Sequence, residues 1–159
     1  MREESTGKVY GKYRGIVTQV DPATMRVRAK VNVLHGVESG WALPCVPYAG
    51  DAVGFAFLPE KDSGVWIEFE DGDVSHPIWT GCYWLEKQAP PDAAADVKVI
   101  VTKSHKLLLS DKDDSITIQD SNGNSVKLDA SGITLTRGSQ TVQVSDSEVN
   151  VNDGALEVT

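Results

Sequence analysis

The chain has 159 residues, of which 24% are charged, and its formal net charge is -8. Residues 1–96 contribute -5 (nine basic, fourteen acidic) and residues 97–159 contribute -3 (six basic, nine acidic). Neither part carries a basic patch large enough to hold a phosphate backbone, which argues against nucleic acid as a partner. The N-terminus is polar, without the apolar core of a signal peptide, and no run reaches the length of a transmembrane helix. We therefore expect synthesis in the cytoplasm without a signal peptide.

Aromatic residues divide the chain into two parts. All eleven lie between Tyr10 and Trp84, so only the first part has the side chains of a conventional globular core. Cys45 and Cys82 are too few for a disulfide framework, and we interpret them as small buried residues of a reducing compartment. The predicted organisation is an N-terminal arm at residues 1–11, a barrel at 12–84, a linker at 85–96 and a repeat region at 97–159.

Short strands without helical periodicity between them are predicted in the first part. The clearest example is residues 25–33, in which Val27, Ala29 and Val31 alternate with polar side chains. Five such strands favour a small antiparallel barrel, for which the OB-fold is the commonest choice. OB barrels also bind single strands through aromatic platforms, so the alternative function is an oligonucleotide- or carbohydrate-binding module with a β-solenoid extension. The predicted strands are residues 12–20, 25–33, 53–58, 64–69 and 77–84.

The repeat region contains pairs of apolar residues that flank a single polar residue. Gly, Asn, Asp and Ser lie between the pairs and favour turns. Alternation places both apolar side chains of each pair on one face of a strand. A repeat this short cannot bury its apolar face alone, so copies are expected to stack, and a lone ribbon would leave its strand edges unpaired. The pairs are Ile116/Ile118, Val126/Leu128, Ile133/Leu135, Val142/Val144, Val149/Val151 and Leu156/Val158.

Three further patterns bear on turns or chemistry. The step from Asn122 to Gly123 is a hairpin signal, so the chain either folds back there or winds forward. His35, His76 and His105 are far apart in the sequence and predict no metal site within one chain. No segment offers a catalytic acid in a folded cleft, so we predict no catalytic residue, no cofactor and no enzyme.

Several stretches resemble phage baseplate spike proteins. Residues 13–17 (YRGIV) resemble the start of their barrel. Residues 65–73 (VWIEFEDGD) and 76–81 (HPIWTG) are similar to the closing strands of the baseplate assembly protein V family and of the VgrG spikes of type VI secretion. Residues 103–111 (KSHKLLLSD) resemble the start of the family's β-helix. The barrel residues that carry the resemblance are Tyr13, Arg14, Gly15, Trp41, Pro44, Phe69, Gly72, Asp73, Pro77, Trp79 and Gly81.

The resemblance implies an all-β homotrimer, in which three OB-fold barrels form a collar and three tails intertwine into a triple-stranded β-helix needle. Three copies of His105 near the three-fold axis of such a trimer would supply three nitrogens to a metal. Such a trimer is the central spike of a contractile injection machine, located in the baseplate of a virion or injection particle. Its implied partners are a hub protein at the barrel end, a PAAR-repeat tip protein at the far end and, transiently, the target membrane. Some relatives carry a lysozyme domain where this chain has only residues 85–96. Because the chain stops just after its last apolar pair, we expect the tip protein to dock on Ala155, Leu156, Glu157, Val158 and Thr159.

Overall fold

The computed structural model describes residues 7–158, and the side chains of Glu157 and Val158 lie outside that description. The chain divides between Gln88 and Ala89 into two units. The first unit is built from strands, with two short 3-10 turns at Asn32–Leu34 and Glu70–Gly72. Its strands are β1 (Tyr13–Asp21), β2 (Arg26–Val31), β3 (Leu43–Pro44), β4 (Ala49–Gly50), β5 (Val53–Gly54), β6 (Gly64–Phe69) and β7 (Pro77–Tyr83).

Five of these strands form one sheet in the order β2-β1-β6-β7-β3. Neighbours are antiparallel except β3 and β7, which run parallel. Alternation along β2 and β6 turns their apolar residues to one side, where Val27, Ile67 and their neighbours are fully buried. Trp79 closes this core, and its indole Nε1 donates a hydrogen bond to the backbone oxygen of Met25 at 3.1 Å. The core residues are Val17, Val27, Ala29, Val31, Ala42, Val65, Ile67, Phe69 and Trp79.

Two sequence predictions for this unit were wrong. Residues 53–58 do not form a barrel strand, because only Val53–Gly54 is extended in register, and it pairs with Ala49–Gly50 in a separate hairpin. The fifth strand of the sheet is the two-residue β3 instead. Cys45 and Cys82 are exposed free thiols instead of buried residues. Cys45 follows the short β3, and Cys82 lies near the end of β7, beyond the buried Trp79.

The second unit is a single antiparallel sheet of eight strands among the described residues. Sequence neighbours pair throughout, so that the sheet order is β15 to β8 without a crossover. No helix within residues 7–158 is both long and apolar enough to cross a bilayer. The strands are β8 (Val97–Val101), β9 (His105–Ser110), β10 (Ser115–Asp120), β11 (Asn124–Asp129), β12 (Gly132–Arg137), β13 (Gln140–Val144), β14 (Val149–Val151) and β15 (Leu156–Val158).

Hairpin turns decide the course of this sheet. The chain folds back after Asp120, so that Ile118 lies opposite Val126, as the Asn122–Gly123 hairpin signal allowed. The expectation that strand edges along the repeats are unpaired within one chain was wrong, because each strand from β9 to β14 has two partners from its own chain. The apolar face is a separate matter, because strand pairing does not cover it.

Candidate functional site

The apolar pairs of the repeat region line up across the sheet. Ile116 lies opposite Leu128, Ile118 opposite Val126, and Leu135 opposite Val142. The same register continues through the last three strands. Since cross-strand neighbours share a face, the eleven predicted residues from Ile116 to Leu156 belong to one side of the sheet, and the backbone of Val158 lies opposite Val149 in the same register. We call this side the apolar face; its members are Ile116, Ile118, Val126, Leu128, Ile133, Leu135, Val142, Val144, Val149, Val151 and Leu156.

Sequence reasoning missed the start of the apolar face. Leu107 lies opposite Ile118 and Leu109 opposite Ile116, while Ile100 lies opposite Leu107, so these residues extend the same side. The three consecutive leucines at 107–109 hid the alternation from the sequence. The hairpin pairing of β9 with β10 is the signal that resolves which leucines belong to it.

No described part of the unit covers the apolar face. Ile118 is 55% exposed, Leu135 47% and Leu156 59%. All the apolar side chains that are fully or nearly buried in the described structure lie in the first unit. Contiguous apolar surface of this extent marks an interaction site. Covering it is favourable, because burial of each Val, Leu or Ile side chain contributes about 1.5–3 kcal/mol of free energy.

From β10 to β14 the opposite side of the sheet is polar and needs no cover, whereas at β8 and β9 Val99 and Leu108 lie on that side, opposite each other. Thr117 lies opposite Lys127, and Thr134 lies opposite both Lys127 and Gln143. Lys127 contacts Asp129 at 2.8 Å, which raises the pKa of the lysine and, together with hydrogen bonds from Ser131, holds that of the aspartate far below its usual range. This side is therefore suited to solvent.

A polar border, which includes Asp120 and Asn124, runs along one end of the apolar face. It flanks a groove of about 550 Å³ whose apolar wall includes Val126, Leu135 and Val142. Asn124 donates its backbone N–H and its Nδ2 to the Asp120 carboxylate at 2.9 and 2.6 Å. These bonds, and those from Asn122, lower the pKa of Asp120 to about 2. The border is a set of turns held by their own hydrogen bonds.

The structure locates the residues of the predicted histidine and tip-docking sites. His105 is exposed at the start of β9, where its Nδ1 lies 2.9 Å from the Ser104 hydroxyl oxygen. No group of three potential metal-ligating side chains lies together within residues 7–158. Of the predicted tip-docking residues, Leu156 is exposed on β15, and Thr159 lies outside the described residues.

The residues that resemble the family's barrel are distributed through the first unit. Phe69 and Trp79 are core residues, Gly15 packs against Ala29, and Asp73 accepts a hydrogen bond from the Ser75 backbone at 2.8 Å. Tyr13, Arg14 and Gly15 lie on β1, Pro44 on β3, Phe69 on β6, Gly72 in the second 3-10 turn, Asp73 just after it, Pro77, Trp79 and Gly81 on β7, and Trp41 before β3.

Two barrel aromatics are covered by arginines of the same unit. The guanidinium of Arg28 lies 4.9 Å from the Trp41 ring centre and also binds Glu38 at 3.2 Å. Arg14 lies 5.6 Å from the Trp66 ring centre. Aromatic platforms for single-stranded nucleic acid need accessible ring faces beside unpaired cations, so this arrangement does not favour the oligonucleotide-binding alternative.

Gly132→Ala is expected to disrupt the apolar face at the β12–β13 pair. Gly132 has a φ of +121°, and a Cβ there would meet the Val144 backbone oxygen at 2.0 Å. Strain and clash together should cost about 3 kcal/mol or more per chain. Gly138→Ala is the control, because its φ of +58° is left-handed but its surroundings are open, so about 1 kcal/mol is expected. Chemical denaturation measures both, and equal losses would contradict the predicted clash.

Comparison with known protein families agrees with this architecture. The model of the type VI secretion system/phage-baseplate injector OB domain matches residues 13–84. The model of the phage baseplate V C-terminal trimerisation domain matches residues 98–157. No curated protein matches the chain.

The barrel and the one-sided sheet together define a structural protein of the phage-baseplate type. The chain belongs to the baseplate V / VgrG-like family. The resemblance drawn from the sequence is thereby confirmed, as is the predicted fold class of an all-β chain with an OB-type barrel followed by a trimerisation domain.

Proposed function

We propose that the chain forms a homotrimer that serves as the central spike of a contractile injection machine, below the tail tube. The observation that carries the proposal is the uncovered apolar face, which spans the sheet that the trimerisation model matches. Three copies that turn these faces toward a common axis bury all three. The polar sides then face solvent, and the three tails wind into the β-helix needle that punctures the target envelope.

Light scattering coupled to size-exclusion chromatography tests the proposal directly. The expected mass is three times 17.2 kDa, and the trimer should persist in mild denaturant because burial of so much apolar surface slows its dissociation. A monomer at micromolar concentration would refute the proposal. Salt-sensitive binding of single-stranded DNA would instead favour the oligonucleotide-binding alternative.

We propose that the hub protein binds the barrel through an exposed apolar surface of the barrel. Tyr48, Phe55 and Phe57 are each at least half exposed, and the two phenylalanine rings lie 4.7 Å apart. Residues 41–58 contain a single charged residue, Asp51. Depletion of charge with exposed aromatics is typical of the centre of a protein interface.

The far end of the sheet is proposed to receive a PAAR-repeat tip protein. Leu156 is the most exposed aliphatic side chain of the described apolar face, at 59%, and it belongs to the terminal strand β15, which has one strand neighbour in its own chain. An open strand edge next to apolar surface favours pairing with another protein. In this proposed role the protein acts mechanically, without a catalytic step.

A further inference from the structure

The hairpin turns of the C-terminal sheet lie along two sides, at opposite ends of the strands, and these two sides differ in charge. We define the acidic edge as the turns β9–β10, β11–β12 and β13–β14, and the arginine edge as the turns β8–β9, β10–β11, β12–β13 and β14–β15. Six carboxylates and one lysine lie in or beside the acidic edge, and two cations with two carboxylates lie in or beside the other. The acidic edge has Asp111, Lys112, Asp113, Asp114, Asp129, Asp146 and Glu148; the arginine edge has Lys103, Asp120, Arg137 and Asp153.

Rotational symmetry converts this difference into complementarity between copies. In a cyclic trimer each contact is heterologous, so one edge of a sheet meets the opposite edge of the next sheet. The acidic edge then never faces its own copy. Contact between two like edges would instead bring as many as twelve carboxylates together, which like-charge repulsion disfavours.

Arg137 is the side chain best placed to use this complementarity. It is exposed at the end of β12, beside the apolar face, and its Nη1 donates to Asn124 Oδ1 at 3.0 Å. Asn124 is itself fixed by Asp120. Arg137 makes no ion pair with any residue in the described range 7–158, so its position is fixed by an amide while its charge stays available.

The strand order identifies the carboxylate at the level of Arg137. The β12–β13 turn lies between the levels of the β11–β12 and β13–β14 turns of the acidic edge. In the first of these turns, Asp129 is already engaged by Lys127 and Ser131. In the second, neither Asp146 nor Glu148 makes an ion pair within residues 7–158, and Asp146 is exposed whereas Glu148 is only partly so, which favours Asp146.

We propose that Arg137 of one chain pairs with Asp146 of the next copy, and that this contact sets the order and axial register of the three chains. The inference rests on the proposed trimer and adds the residues by which copies recognise one another. An exposed ion pair adds little to stability. Its effect is expected on the assembly rate, because complementary charge steers encounters.

Charge reversal in the full-length chain tests the pairing. Arg137→Glu and Asp146→Arg should each slow trimer formation after dilution from denaturant by about tenfold at low salt. The double variant should recover to within about twofold of the unaltered chain, and the unaltered chain should assemble more slowly as salt is raised. Single variants that assemble at the unaltered rate, or a double variant that shows no recovery, would overturn the pairing.

Cross-linking adds a geometric test that does not depend on rates. With Cys45 and Cys82 changed to serine, the pair Arg137→Cys with Asp146→Cys should give a covalent trimer on a non-reducing gel. The control is Ser121→Cys with Asp146→Cys, because the β10–β11 turn lies three strand spacings away, roughly 14 Å. Equal cross-linking of both pairs would refute the register. A monomeric unaltered chain would refute the proposed function itself, whereas a trimer without the specific cross-link would refute only this inference.

Discussion

Val144→Asp is expected to abolish trimer formation, and Val151→Asp is expected to do the same. Both valines lie on the apolar face, where Val142 pairs with Val151 and Val144 pairs with Val149. In the proposed trimer each substitution places three carboxylates near one axis. Each uncompensated buried charge costs several kcal/mol, and each valine lost removes about 1.5–3 kcal/mol of burial. The sum is on the order of 10 kcal/mol or more per trimer.

The controls for this prediction are the neighbouring residues on the polar side. Gln143→Asp and Asn150→Asp add the same carboxylate one position away, at residues that pair with each other across β13 and β14. Both should leave the light-scattering mass at three chains. A trimer of unchanged melting temperature for Val144→Asp would show that the apolar face is not the inside of the assembly.

Trp79→Ala should strongly destabilise the barrel, while the C-terminal sheet still holds three chains together. Trp79 is 3% exposed, and its indole Nε1 donates a hydrogen bond to the Met25 backbone oxygen. Truncation of a buried tryptophan costs about 3–5 kcal/mol. A small domain is stable by only about 5–15 kcal/mol, so the barrel would lose between roughly a fifth and all of its stability.

Trp84→Ala is the matched control, since Trp84 is 67% exposed. It should change barrel stability by less than about 0.5 kcal/mol. Near-ultraviolet circular dichroism reports the barrel, and light scattering reports the number of chains. Equal stability losses for the two tryptophan variants would contradict the assigned core, and dissociation of the Trp79→Ala trimer would show that the barrel is needed for assembly.

Periodicity carried most of what the sequence could predict. The alternation of Val27, Ala29 and Val31 predicted a half-buried strand, and all three are buried on β2. The twelve apolar residues of the tail fall in cross-strand register for the same reason: a period of two leaves each strand only one choice of face. The surface that covers that face in an assembly belongs to other copies of the chain, so its identity stays a prediction.

The features that sequence reasoning missed depend on long-range packing. Residues 53–58 alternate like a strand, yet after Val53–Gly54 they leave the hairpin, while Leu43–Pro44 gains its place in the sheet from a parallel contact with β7. No local pattern marks a two-residue strand. Cys82 lies opposite the buried Val65, beyond the register shift between Val65 and Ile67, yet it is exposed, and hydrophobicity alone does not reveal this.

The uninterrupted hairpin order of the C-terminal sheet makes its length modular. Each added strand lengthens the sheet by about 4.8 Å, but a single extra strand would move every later turn to the opposite edge. Only insertions of two strands preserve which turns carry carboxylates and which carry Arg137. Evolution could therefore lengthen or shorten such a rod in steps of roughly 10 Å, with each step keeping the chains compatible with their neighbours.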